Sequence, residues 1–322
     1  MQAVNKIKGN FCIYTNGEYV VIPSTKLHIL KTDGRLVACR DDLRYAGKIT
    51  FLSENRMLLS SSKAVYHMID LRDGSDIWTT PGTKSDLNVT EFAVSLDEAY
   101  AYTYDERKGN YFISRLNLQT HDVDSHYMYM DSGATRGILC DEDGIPCLLK
   151  TLRETIGGKP YHQNGVRMHD FDGIAPGNTT CWKTKWTFDG ARSAVQFLDS
   201  TDKVVTSDLH IYTPSTGELV DLLENETSWQ RPECDPSRCS LDLSKRYLSV
   251  KYQTSQVFID IHARKVVAQY ATEFMKGCLI GDTFWICLNG RVVRKPFPAF
   301  EEAPPVKTVG WSWYYAKHPE RW

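Results

Sequence analysis

No apolar run in this chain approaches the roughly 18 residues that a membrane helix needs, and the basic start Met1 to Lys8 is not followed by the apolar core of a signal peptide. A cytoplasmic protein without a membrane partner is the expectation. Helix-length windows with an apolar period of 3.6 are almost absent, which excludes a helical bundle or a chain of strand-helix units. Charge of one sign is also lacking: 38 Lys and Arg face 40 Asp and Glu, for a net charge of −2. No global field draws such a chain to nucleic acid. The sequence holds no Gly-x-Ser-x-Gly elbow, no His-Glu-x-x-His pair and no dinucleotide-binding glycine pattern, and Gly157-Gly158-Lys159 lacks the rest of a phosphate loop. Cys234 and Cys239, separated by four residues, have no second pair at metal spacing beside them. Neither a metal nor a cofactor is expected. The nine cysteines are odd in number, and most stand in apolar runs where a reduced thiol behaves as a small core residue. Without a signal peptide, the sequons at Asn88, Asn178 and Asn225 read as chance matches.

What is present is a repeated hairpin. Ile69-Asp70-Leu71-Arg72-Asp73-Gly74 recurs as Leu116-Asn117-Leu118-Gln119-Thr120-His121 and Ile259-Asp260-Ile261-His262-Ala263-Arg264, with looser copies ending at Gly34, Gly173 and Gly217. An aliphatic residue, a small polar one, a second aliphatic and then the turn define each copy. Asp, Asn and Thr bond their own backbone two residues on, and glycine supplies positive φ, so each copy is a turn between two strands. The turn positions are about 40 to 52 residues apart, and a period near 46 goes about seven times into 322. Four short strands fit in each period. The units run about 9–42, 47–80, 88–131, 135–188, 192–224, 238–272 and 276–311, with an aromatic tail over 312–322.

Sets of four strands repeated about seven times suit a ring in which each sheet buries its faces against its neighbours. The chain resembles the seven-bladed β-propellers with WD40-like or YVTN-like repeats, and the resemblance covers nearly all of it. It implies one all-β propeller domain over 1–322, a six- or eight-bladed ring being the alternative count. The resemblance also implies a non-catalytic interaction propeller whose partner is a protein or peptide. The alternative is a propeller enzyme of the lactonase kind, with its site at the channel mouth.

Candidate residues follow from the strand order. In a four-stranded antiparallel blade, the second-to-third turn and the connection to the next blade lie on one face, and the other two turns on the opposite one. Long polar segments fall mainly on the first face, among them Asp105 to Asn110, Arg153 to Gly165 and Glu224 to Arg238. They carry Arg153 and His162, and Trp229 beside Arg231, the composition of an exposed interface anchor. Arg136, Arg192, Arg238 and Lys276, like Lys48, precede innermost strands; turned inward they would attract a small anion or an acidic peptide. His28, His67 and His210 stand in third strands, far from the axis, and read as structural. Ring closure falls to Val4–Lys8 or Val306–Trp311 as the outer strand of the last blade.

Overall fold

The computed structural model describes residue 7 and residues 12–43, 48–61, 65–81, 88–107, 110–128, 133–156, 159–169, 182–189, 194–206, 208–230, 238–242, 246–252, 254–271, 276–288 and 290–302. Its strands form antiparallel sheets taken in sequence order. The first sheet holds β1 (Tyr14–Thr15), β2 (Tyr19–Pro23), β3 (Leu27–Lys31) and β4 (Leu36–Arg40); the second holds β5 (Ile49–Leu52), β6 (Arg56–Ser60), β7 (Tyr66–Asp70) and β8 (Asp76–Thr79). β9 (Asn88–Val94), β10 (Tyr100–Arg107), β11 (Asn110–Asn117) and β12 (Val123–Met128) make the third. The fourth is β13 (Gly133–Cys140), β14 (Pro146–Ile156), β15 (Lys159–His169) and β16 (Trp182–Asp189). Shorter strands build the fifth, β17 (Ala194–Phe197), β18 (Val204–Thr206), β19 (His210–Thr213) and β20 (Glu218–Asp221). The sixth contains β21 (Arg238–Leu241), β22 (Tyr247–Lys251), β23 (Ser255–Asp260) and β24 (Lys265–Ala271). A three-stranded sheet of β25 (Lys276–Ile280), β26 (Thr283–Leu288) and β27 (Arg291–Pro296) ends the series.

The architecture is a β-propeller. Separate apolar clusters fill the seam between each sheet and the next, and one joins the three-stranded sheet to the first, so the series closes on itself. This explains the unbroken apolar run of β2. Val20 and Ile22 face the last sheet, Tyr19 and Val21 face the second, and all five residues of the strand are buried. Outer strands have one covered side at most, and β4, β8 and β20 are correspondingly half-buried to exposed.

The repeated hairpin has the predicted chemistry. Asp70 Oδ1 accepts from Arg72 N at 2.8 Å, Asn117 Oδ1 from Gln119 N at 2.9 Å, and Asp260 Oδ1 from His262 N at 3.0 Å. The residue closing each described copy, Gly34, Gly74, His121, Gly217 or Arg264, has positive φ. The Gly173 copy lies outside the described residues. Two of the turns also lean on the preceding sheet: Gly74 O accepts from Arg40 Nη1 at 2.8 Å, and the His121 ring stacks on Trp78 with centroids 4.4 Å apart.

Two expectations are corrected. Arg153 to Gly165 is not a loop: β14 and β15 are each eleven residues long and pair as far as Ile156↔Lys159. Asp105 to Asn110 is likewise a hairpin, paired to Arg107↔Asn110. After β27 the chain leaves its own sheet. Residues 297–301 run back to the outer strand of the sixth sheet, where Gln269 N donates to Ala299 O and Glu301 N to Gln269 O, each at 2.9 Å. Val306–Trp311 lies outside the described residues, and of Val4–Lys8 only Ile7 is described. It is buried in the seam between the last and first sheets.

Candidate interaction face

Strand direction sorts the connections into two faces. The β10–β11 and β14–β15 hairpins share a face with the connections between sheets, because the chain leaves every outer strand at the end where the next inner strand begins. On this face the fourth sheet outgrows its neighbours. Among the described residues, the pairing of β13 ends at Gly133↔Leu152 and that of β16 at Gln163↔Asp189, and residues 153–156 and 159–162 continue as a two-stranded ribbon. Arg153 and His162, proposed from unrelated positions in one polar segment, are direct cross-strand partners at its base.

The other sequence candidates divide. Arg238 and Lys276, with Lys48, sit at the entry ends of β21, β25 and β5, hence at the same face as the ribbon, whereas Arg136 is the fourth residue of β13, at a shift of its register. Only the backbone of Arg136, Arg153, His162, Arg238 and Lys276 is described, and Arg192 and Arg231 lie outside the described residues. The opposite face carries the first-to-second turns, where Glu18, Glu54, Asp97, Glu142, Asp143 and Asp282 are all exposed. The exposed Arg35, Arg72 and Arg264 of the third-to-fourth turns share that face, and the exposed Asp41, Asp42 and Glu224 stand in connections on the ribbon's face, so each face carries both signs.

Trp229 is not the exposed anchor expected from its polar surroundings. Its ring is half-buried against the fifth-to-sixth seam near Tyr252, and its Nε1 donates to Gln269 Oε1 at 2.6 Å. The polar neighbours that suggested exposure cap the turn instead: Glu226 accepts from Ser228 N at 2.8 Å and from Val266 N at 2.8 Å. The three histidines stay in their own sheets. His67 Nδ1 lies 3.1 Å from Asp76 Oδ1, His210 Nδ1 3.2 Å from Asp208 Oδ2, and His28 Nδ1 3.5 Å from Ser24 Oγ. Among the described residues, no His, Cys, Asp and Glu side chains group to hold a metal ion.

At the rim between the first two sheets, Arg40 binds Asp42 through Nε at 2.8 Å and Nη2 at 2.6 Å, and reaches Asp76 at 2.7 Å. The guanidinium holds the Asp42 carboxyl down at about 2. Since a depressed carboxyl stabilises the fold above its ordinary value of about 3.9, that contribution is lost as pH falls from there through the folded value. Arg40→Met is expected to return Asp42 toward the ordinary carboxylate range, measured by carbon-13 NMR titration of the side-chain carboxyl. An Asp42 titration unmoved by the substitution would refute the assignment.

No family model matches the sequence, and no curated protein matches it. The fold is similar to that of the crystal structure of the Myceliophteria thermophila Cps50 (Swd1) β-propeller domain, with a TM-score of 0.55 and 10% identity. The match covers 92% of this chain and 99% of that one.

Proposed function

We propose that the chain is a WD40-like, seven-bladed, non-catalytic interaction propeller, with β25–β27 as the seventh blade, and that it binds a protein or peptide through the face bearing the ribbon. The observation that carries this reading is the β14–β15 ribbon, which among the described residues runs past both flanking strands of its own sheet. Strand length beyond what the sheet can pair adds nothing to the core, whereas a projecting ribbon offers a variable binding element on a rigid support. The bases at the entry ends of the inner strands suit a partner with acidic side chains, or a small anion at the mouth.

The register supplies a clean test. Leu152 and Gln163 are cross-strand partners, so residues 153–162 can be replaced by Asn-Gly, the two-residue turn matched to strand twist. The shortened chain is expected to keep its melting temperature within a few degrees and to lose most of the proteins that the intact chain retains from cells of its source. A chain with Glu142→Lys and Asp143→Lys, altered on the opposite face, should retain them. Equal retention by the shortened chain would reject this face.

A further inference from the structure

The outer strand of the sixth sheet is held from both neighbouring sheets. On the side away from β23, Val266 N donates to Glu226 Oε2 at 2.8 Å, Gln269 N to Ala299 O at 2.9 Å and Ala271 N to Glu301 Oε2 at 2.9 Å. The first acceptor belongs to the connection from the fifth sheet, the other two to the chain leaving β27. The Gln269 side chain touches both segments: its Oε1 accepts from Trp229 Nε1 at 2.6 Å, and its Nε2 donates to Glu301 O at 2.9 Å.

The segment after β27 has a fixed base and a catch. At the base, Pro296 O accepts from Tyr270 OH at 2.7 Å and Phe297 N donates to Asp282 O at 2.7 Å. The Phe297 ring meets Tyr247 and Phe258 edge-on, each with centroids 5.4 Å apart. The catch is Glu301, which uses every polar group it has. Its N donates to Gln269 O at 2.9 Å, its O accepts from Gln269 Nε2, Oε2 accepts from Ala271 N, and both carboxylate oxygens lie 2.7 Å from Lys295 Nζ. Between base and catch, Gln269 and Phe300 form an isolated parallel bridge, and Phe300 is 64% exposed. Hydrogen bonds and charge therefore hold the catch, not burial of its largest side chain. Such bonds exchange readily for bonds to water, whereas the packed ring at the base does not.

We propose that residues 299–301 are a latch that opens about Phe297, and that the outer edge of β24 then receives an extended acidic segment of a partner protein in their place. The latch itself shows what the edge accepts: a carbonyl for Gln269 N, an N–H for Gln269 O, and a carboxylate for Ala271 N and Lys295. An Asp or Glu at the Glu301 position is thus the residue that the partner must supply, while the position of Phe300 stands in solvent and is free to vary. Strand addition gives affinity through the backbone, and the Lys295 ammonium selects the carboxylate. Tethered beside its site, the latch competes at the high effective concentration of a short linker, so loosening it admits the partner. This edge lies on the rim of the ring and not at the ribbon, so the two readings stand or fall independently.

The test uses the full chain and a capped peptide copying Pro298-Ala299-Phe300-Glu301-Glu302 at millimolar concentration, with the amide resonances of β24 as the readout. In wild type, the amides of Gln269, Ala271 and Glu301 should exchange with solvent at least about tenfold faster than those of β23, because they open with the latch. Glu301→Gln should quicken these three further, leave Val266 unchanged under Glu226, and bind the peptide at least about tenfold more tightly than wild type. Lys295→Met should open the latch too but gain no affinity, since the peptide loses the same partner. A peptide with Gln in place of its first Glu should bind neither variant. Melting temperatures separate a loosened latch from a loosened fold. Exchange of the three amides at the rate of β23, equal binding of the peptide by wild type and Glu301→Gln, binding by neither, or undiminished binding of the Gln peptide would overturn the proposal.

Discussion

Gly74→Ala is expected to destabilise the protein by about 2 to 5 kcal/mol, measured from the denaturant midpoint at constant m-value. Two costs add. The residue has a φ of +78°, where a Cβ costs roughly 1–2 kcal/mol. The new methyl would also stand 2.3 Å from Ala38 Cβ, and both atoms are fixed to backbone, so overpacking adds about 1–3 kcal/mol. Combining the change with Ala38→Gly separates the two terms: the double variant should recover most of the steric part and none of the conformational part. Strict additivity of the two substitutions would show that the turn of the second sheet does not press on the outer strand of the first. The same contact places Gly74 O on Arg40, so the variant should also release Asp42 from part of its depression.

Trp285→Ala should cost about 3–5 kcal/mol, a large share of the roughly 5–15 kcal/mol that holds a domain together. The indole is 1% exposed and packs with Ile7, Ile13, Val20, Ile22 and Leu30 in the seam that joins the last sheet to the first. A cavity there weakens the one junction that no covalent connection between consecutive sheets supports. Native-state hydrogen exchange should therefore rise first in β1, β2, β26 and β27, while the fourth and fifth sheets keep their protection. Uniform loss of protection across all sheets would show instead that the ring unfolds as one unit without a weak seam. Trp285→Phe, which retains most of the apolar volume, should lose much less.

The turns were legible in the sequence because their chemistry is local. An Asp or Asn that bonds its own backbone and a glycine that accepts positive φ need no distant partner, and the spacing of such turns sets the repeat without reference to the rest of the ring. Apolar runs such as Tyr19–Pro23 likewise announced strands covered on both sides. Trp229 failed for the opposite reason. Its immediate neighbours are polar, but its position depends on Gln269, 40 residues away, and on the seam between two sheets. Reading the segment from Arg153 as a loop failed through a similar blindness, since polar residues fill a ribbon and a loop alike, and only the register to Lys159 tells them apart.

The sequence alone determined an all-β ring of short antiparallel sheets, because turn chemistry and strand periodicity are encoded within a few residues of each other. It could not determine which residues share a face, since strand direction alone decides to which end of the axis each connection is carried. Nor could it show that Arg40 is neutralised by Asp42 and Asp76 together. That pairing depends on Asp76, from the following sheet, and tertiary structure alone brings such groups within a few ångströms.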